Sequence, residues 1–452
     1  MRNLRELTRY PAAVVGLFMI LILVVVAIYA MVSLPYDEAV RLWRGGEDVW
    51  YNTPKKAAPV WTNWFRSENL PATIALNSTS ETVEKTREAI DEELTQITFD
   101  YTFDYRYTTF PREVSLFFDT QYQEKAPFVE LLWLTPDGRE IRVANMAAES
   151  SLSYRLSQDD KLERRLPRIL GFDLPSDAST HEALFADPSA EDLQALPGEY
   201  TLRAIATVFE PESDVDAELV LFGQVHGVAG TDHRRRDITV ALLWGTPVAL
   251  AFGLLAALGT SATTMIIAGV GTWYGGWVDA LIQRITEVNL ILPVLPILIM
   301  IGTFYSKSLW VMLGVIILLN IFGGGIKTYR AIFLQVKESP YIEAAQAYGA
   351  TDARVIFSYL VPRIVPTLIP NLVTLVPAYV FLEAALSVLG LGDPVMPTWG
   401  KIISDARVNG ALYQGNYYWM LEPSILLMLT GLAFSLLGFA LDRIFNPRLR
   451  GR

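Results

Sequence analysis

No cysteine occurs in the 452 residues, which excludes disulfide bonds and thiolate chemistry, nucleophilic or metal-binding. Histidine is nearly as scarce. His181, His226 and His233 lack metal-ligand spacing, so no metal site is expected. A phosphate loop ending in Gly-Lys-Ser/Thr is missing, so ATP hydrolysis by this chain, and enzyme activity generally, is not expected. Net positive charge is missing too: a formal charge of −11 argues against nucleic acid as a partner.

What the chain has in quantity is apolar surface. It is 52% hydrophobic with a mean hydropathy of +0.29, too apolar for an ordinary soluble protein of this length. The charge is unevenly spread. Residues 34–229 hold 35 acidic and 18 basic side chains, a balance of −17, which leaves +6 for the rest. A slightly basic apolar body carrying one acidic domain is what membrane insertion with a large translocated insert produces.

A bilayer core about 30 Å thick needs roughly 20 apolar residues in a helix. Runs of that kind lie at Tyr10–Tyr36, Ile238–Val278, Val288–Ser306, Ser308–Ile326, Ile364–Leu382 and Pro423–Leu441. The first is too long for a signal peptide and reads as a retained anchor. Ile238–Val278 has the length for one span or two. As one span it puts both termini and the 327–363 loop on a single side holding 13 Lys and Arg, against Lys307, Lys401 and Arg407 in the short loops opposite. The positive-inside rule then makes both termini cytoplasmic, although Arg234, Arg235 and Arg236 fall outside. Tyr417, Tyr418 and Trp419 read as headgroup anchors for the last span.

Between the first two spans the pattern is mostly β. From Ile97 to Thr108 apolar and polar residues alternate without a break, as in a half-buried strand. Phe128–Leu134 and Glu140–Val143 flank the turn residues Thr135-Pro136-Asp137-Gly138. Tyr200–Phe209 and Ala217–Val225 read as a final strand pair, and Glu81–Gln96 and Asp159–Ile169 as solvated helices. A sandwich-like β domain follows. Asp100, Asp104 and Arg106 share its polar face, as a recognition patch or, more simply, as solvated charge.

Residues 339–362, SPYIEAAQAYGATDARVIFSYLVP, are the most informative stretch. Ser339 and Pro340 suit a helix start, Glu343 favours its first turn, and Gly349 suits a left-handed end. Thr351 or Asp352 is expected to cap a second helix, stopped by Pro362. Two short helices bent at a glycine present a small-residue surface with one charge. The pattern alone fits a protein-docking block or an amphipathic loop lying on headgroups.

Glu343-Ala344-Ala345, Gly349-Ala350, Leu360 and Pro362 resemble the EAA loop of importer-type ABC permeases. Over about 230–452 the chain is similar to the dipeptide/oligopeptide/nickel permease family, second-subunit type, with its MetI-like helical core. Gly230-Thr231-Asp232 with Arg236-Asp237, Gly275-Gly276-Trp277-Val278-Asp279 with Arg284, Glu383–Gly392, Pro397–Gly400, Ser404-Asp405-Ala406 and Asn446-Pro447-Arg448 carry the likeness. Arg235 stands where the family usually has glycine, and Glu287 where it often has aspartate.

The resemblance implies an α-helical polytopic membrane protein of about six spans: residues 1–36 as terminus and first span, 37–229 as an extracytoplasmic β-rich insert, and 230–452 as permease core. It implies a transport subunit that binds no cofactor itself and uses the ATP of partner chains. Those partners are a homologous permease, two ABC ATPases and an extracytoplasmic solute-binding protein, with the bilayer around them. Glu343, Ala344, Ala345, Gly349, Ala350 and Pro362 are the expected ATPase-coupling residues. Glu383 at a span's outer end, with Trp399, is a pathway or outer-gate candidate; a solvated carboxylate shaping the outer loop is the alternative. Gly269, Gly271 and Gly275 are expected to allow close helix packing, and Pro293, Pro296, Pro366, Pro370 and Pro377 to kink helices around a cavity. A membrane sensor with a β-rich ectodomain is the competing class, but tails of about ten residues leave no room for a signalling domain. A secondary transporter would carry paired mid-span charges, which these runs lack.

Overall fold

The charge-free segment Pro11–Ser33 forms helix α1, whose small or apolar stripe Ala13, Gly16, Leu23, Ala27 and Ala30 is buried while Phe18, Val25 and Tyr29 stay exposed. A computed structural model describes residues 10–80, 83–91, 94–171, 175, 178–190 and 192–445. After helix α2 (Tyr36–Arg44) the chain leaves the first of two units, builds the second from Gly45–Asp237, and re-enters the first at Ile238.

The second unit is a two-sheet sandwich. Strands β1 (Ile74–Asn77), β4 (Glu113–Gln121), β7 (Ser153–Arg155) and β9 (Asp214–Phe222) form a sheet in the order β1-β9-β4-β7. Strands β2 (Glu84–Ala89), β3 (Thr95–Tyr105), β5 (Phe128–Leu134), β6 (Glu140–Ala147) and β8 (Gly198–Val208) form the other, in the order β2-β3-β8-β5-β6, with every pairing antiparallel. The predicted alternation is realised in β3. Ile97, Phe99, Tyr101, Phe103 and Tyr105 are buried in one cluster with Leu116, Phe118, Leu219 and Leu221 from the opposite sheet. Helices α3 (Asp160–Leu170) and α4 (Thr180–Phe185) pack on this core, α3 through Leu162, Leu166 and Leu170.

Two expectations for this unit are corrected. Within Glu81–Gln96 the described residues form β2 and the start of β3, not a helix; residues 81, 82, 92 and 93 lie outside the described set. All six β2 residues are exposed, so this edge strand carries no apolar alternation to betray it. The segments Tyr200–Phe209 and Ala217–Val225 form β8 and β9 but do not pair with each other. They lie in opposite sheets, each directing its apolar side into the shared core, and the link after Val208 crosses between layers. The polar patch is partly tied down: Arg203 lies opposite Asp100 in register and binds it with both guanidinium arms, at 2.7 and 2.8 Å.

The first unit resumes with α5 (Ile238–Tyr274), one uninterrupted helix of 37 residues. It is followed by α6 (Gly276–Ile291), α7 (Val294–Phe304), α8 (Leu309–Ile321), α9 (Gly325–Lys337), α10 (Pro340–Ala347), α11 (Val361–Leu386), α12 (Trp399–Val408) and α13 (Tyr418–Phe445). Four helices among the described residues are long and apolar enough to cross a bilayer: α1, α5, α13 and Leu368–Leu391, the C-terminal part of α11 with its continuation. The runs Val288–Ser306 and Ser308–Ile326 are not straight spans. Pro293, which has no amide to donate, and the triplet Gly323–Gly325 break them, leaving α6–α7 bent by 77° and α8–α9 by 49°. With each bent pair counted as one crossing, six spans result.

Small residues bring these helices together, as expected for membrane packing. A Cβ on Gly16 would lie 2.7 Å from the Ala433 carbonyl oxygen of α13, and one on Gly269 would lie 3.2 Å from the Phe333 ring of α9. The three aromatic residues 417–419 do not act as one anchor: Tyr417 is exposed, but Tyr418 and Trp419 are buried in the helix packing.

Candidate functional site

Helix α10 starts with Pro340 in its first turn, where no amide partner is required, and ends at a left-handed Gly349 (φ +77°). The end is a paired-bond turn: the Gly349 amide donates to the Gln346 carbonyl (2.8 Å) and the Ala350 amide to the Ala345 carbonyl (3.0 Å). Ser339 and Thr351 stand at the starts of the two arms, but neither hydroxyl caps its helix. Backbone geometry and burial hold the block in place.

The second arm departs from expectation. After a turn at Asp352–Arg354 the chain runs through a π-helical segment, Val355–Leu360, straight into α11. Pro362 therefore does not stop a helix. It occupies the first turn of α11, after a widened π-turn that leaves room for its ring. The elbow is one short helix set against the foot of a long one.

The block has two faces. Ile342, Val355, Ile356 and Leu360 are buried in a cluster with Met265, Ala268 and Trp273 of α5 and Ile326, Tyr329 and Phe333 of α9. Burial of each such aliphatic side chain contributes roughly 2 kcal/mol. Glu343, Ala344, Ala347 and Gly349 are exposed, Ala350 is half-buried, and Ala345 is buried against the body. Tyr348 is 94% exposed and Phe357 54%. Sequence reading missed these aromatic groups; Tyr341 and Tyr348, seven residues apart, share the outward side of the bend. The floor of the site is pinned by charge. Asp279 binds the Arg330 guanidinium at 2.5 to 3.0 Å, and Lys337 donates to the Thr272 and Trp273 carbonyls at the C-terminal end of α5 (3.0 and 2.9 Å). Asp279 ends a motif already singled out, but Arg330 and Lys337 carried no signal beyond their charge.

Residues 243–451, which include this whole block, match the family of binding-protein-dependent transport system inner membrane components. A dipeptide transport system permease protein of Bacillus subtilis is 31% identical over 224 residues, covering 49% of this chain and 68% of that one. The chain belongs to this family. A glutathione transport system permease protein of Pectobacterium atrosepticum is 30% identical over 227 residues (49% and 72% of the two chains), and an oligopeptide transport system permease protein of B. subtilis 29% over 224 (49% and 72%). The protein is thus an inner-membrane permease subunit of the importer-type ABC class. The insert lies outside the matched residues.

At the other end of the permease core Glu383 and Trp399 are brought close in the fold but face inward. Glu383 is buried, not a solvated loop carboxylate, and accepts a hydrogen bond from Ser387 (2.9 Å). Trp399 is buried too, its indole donating to the Leu242 carbonyl of α5 (3.0 Å), with Gly245 leaving space for the ring. Asp393 beside them accepts the amides of Leu309 and Val395 (2.9 and 2.8 Å). These residues fasten α5, α8, α11 and α12 together. Of the family departures, Glu287 pairs with Arg284 on an exposed surface (3.1 Å). Arg235 keeps the backbone of a glycine, at φ +67°. Its guanidinium donates to the Thr53 carbonyl (2.6 Å) and lies 4.5 Å from the Phe222 ring centre, beside the buried Asp232–Arg236 pair.

Proposed function

We propose that this permease is one half of the translocation pathway of an ATP-driven importer of peptides or a related small solute, paired with a homologous permease. In this reading both termini and the 339–362 block face the cytoplasm, and each of two ABC ATPases grips one such block. A solute-binding protein delivers cargo to the opposite side, where the insert forms part of its docking platform. The relatives' dipeptide, oligopeptide and glutathione transport supports the cargo class. The excess of Lys and Arg flanking the block supports its orientation.

One observation carries the mechanism: an outward face of Glu343, Ala344 and Tyr348 backed by a buried face that continues into α11. ATP binds the closed ATPase dimer better than the open one, and that difference in affinity shifts the permease between inward and outward states. An external grip on the elbow moves α11 directly, because no loop intervenes.

The test is Glu343→Lys in the assembled transporter. The expected result is at least a ten-fold loss of ATPase co-purification and solute uptake, with an unchanged melting temperature because the side chain is exposed. Full ATPase association, or labelling of a Gln346→Cys variant from outside the cell, would overturn the orientation and the coupling role together.

A further inference from the structure

The permease core holds a half-open cavity of about 400 Å³ that borders the cluster under the elbow at Tyr329 and Ile332 and is lined by none of Glu383, Asp393 and Trp399. Thr260, Ser261 and Thr264 of α5 line one side, Asn371 and Tyr379 of α11 another, and the Gly323–Gly325 break between α8 and α9 a third. No lining residue is charged; hydroxyl and amide groups and bare backbone are set into a wall that is otherwise apolar, with Ile332 and Leu375 in it. Irregular backbone at bilayer depth is sustainable where it is buried in protein or borders a polar space.

Three details point to a ligand. Thr264 donates to the Ile321 carbonyl (2.8 Å) and the Tyr379 hydroxyl to Thr260 (3.2 Å), so these groups are occupied. Ser261, 3% exposed, has no partner for its hydroxyl, although a serine within a helix ordinarily reaches the carbonyl four residues back. Asn371 donates to the Tyr329 hydroxyl (3.3 Å), yet its side chain stays exposed within a span, where a polar group is costly unless it has further partners. Gly324 has φ −56°, which any residue adopts, and a Cβ there would meet nothing within 4 Å. Neither backbone geometry nor packing demands a glycine at this place; its effect is to leave the cavity open.

We infer that this cavity is a solute-contact site inside the permease, where Ser261, Asn371 and the backbone around Gly324 hydrogen-bond the neutral amide backbone of a peptide in passage. A charged cargo group would find no counter-ion among the lining residues, whereas a peptide amide finds both donors and acceptors. Contact through the amide backbone also tolerates variation in cargo side chains. The inference rests on the import reading above and adds to it a location and a chemical class.

The experiment uses the full chain assembled with its partner subunits in proteoliposomes, with trialanine as the probe. Ser261→Ala is expected to lower uptake at least five-fold while leaving the melting temperature unchanged or raised, since it removes an unpaired buried hydroxyl. Gly324→Leu is expected to block uptake with the complex intact. Because the chain has no cysteine, Gly324→Cys adds one label site to it, and trialanine should slow its reaction with a small thiol reagent. Unchanged uptake in both Ser261→Ala and Gly324→Leu, with wild type active, would reduce the cavity to a packing void. An unreactive Gly324→Cys in the active complex would place it under the partner permease instead and overturn the site. Failure of the wild-type complex to import trialanine would sink the peptide-import reading itself, a result visible before any variant is compared.

Discussion

Arg235 shows how a single residue carries two opposed contributions. Its left-handed backbone costs about 1 kcal/mol relative to glycine, and its buried guanidinium offsets that through the Thr53 carbonyl and the Phe222 ring. Arg235→Ala keeps the strain and loses the contacts; Arg235→Gly loses the contacts and the strain together. The alanine variant should therefore be less stable than the glycine variant by about 1 kcal/mol, read as a lower midpoint for the insert's unfolding transition. Equal midpoints would show that the backbone there relaxes freely. The sequence flagged this position as a family departure, but not the contacts that compensate for it, since Thr53 and Phe222 are remote in the chain.

At the scale of elements, the sequence disclosed what periodicity and punctuation encode. The alternation in β3, the β5–β6 hairpin, helix α3 and the glycine bend after α10 were all legible, because one buried face or one special backbone angle writes each of them into adjacent residues. What stayed hidden depended on distant neighbours. The π-turn at Val355–Leu360 lets Pro362 sit inside a continuing helix, and β2 gains its strand form from pairing with β3 rather than from its own residues. The sequence likewise leaves Glu383 open between a pathway residue and a solvated loop carboxylate, because its burial depends on how the helices pack around it. The glycine bend is open to test. Since a Cβ on Gly349 would meet no atom within 4 Å, Gly349→Ala should cost about 1 kcal/mol through backbone strain alone. Hydrogen exchange at the Ala350 amide, which closes the turn onto Ala345, should accelerate about five-fold. A much larger effect would mean that the elbow is held by packing around the glycine.

For the whole molecule, the two units should answer acid differently. In the insert, Lys55 and Arg155 hold the Glu47 carboxyl at about 2, and the amides of Gln123, Glu124 and Lys125 hold Glu210 at about 2. Burial also pushes the His181 imidazole below its ordinary value. All three are depressed in the folded state, so the stability each adds is complete above its unfolded pKa and lost as pH falls through the folded one. The insert of the full-length protein should weaken first below about pH 6.5 as unfolded His181 gains a proton, then more steeply from about pH 4 to about pH 2. Thermal melts followed by tryptophan fluorescence should show this slope flattened at the acid end in Glu210→Gln. A pH-independent midpoint between 5 and 2 would contradict the carboxylate assignments.

The clasp between α2 and α5 has a consequence for how such a chain could have arisen. Trp244 donates to the Leu34 carbonyl (2.9 Å) and its ring meets Tyr36 edge-on at 5.7 Å, so the core itself holds the departing and returning strands of chain side by side. Gly45–Asp237 hangs from a doorway that is already shut behind it. Swapping that cassette for a shorter or foreign one would ask the helical body to close no new gap, so diversification at this point of the chain is thermodynamically cheap.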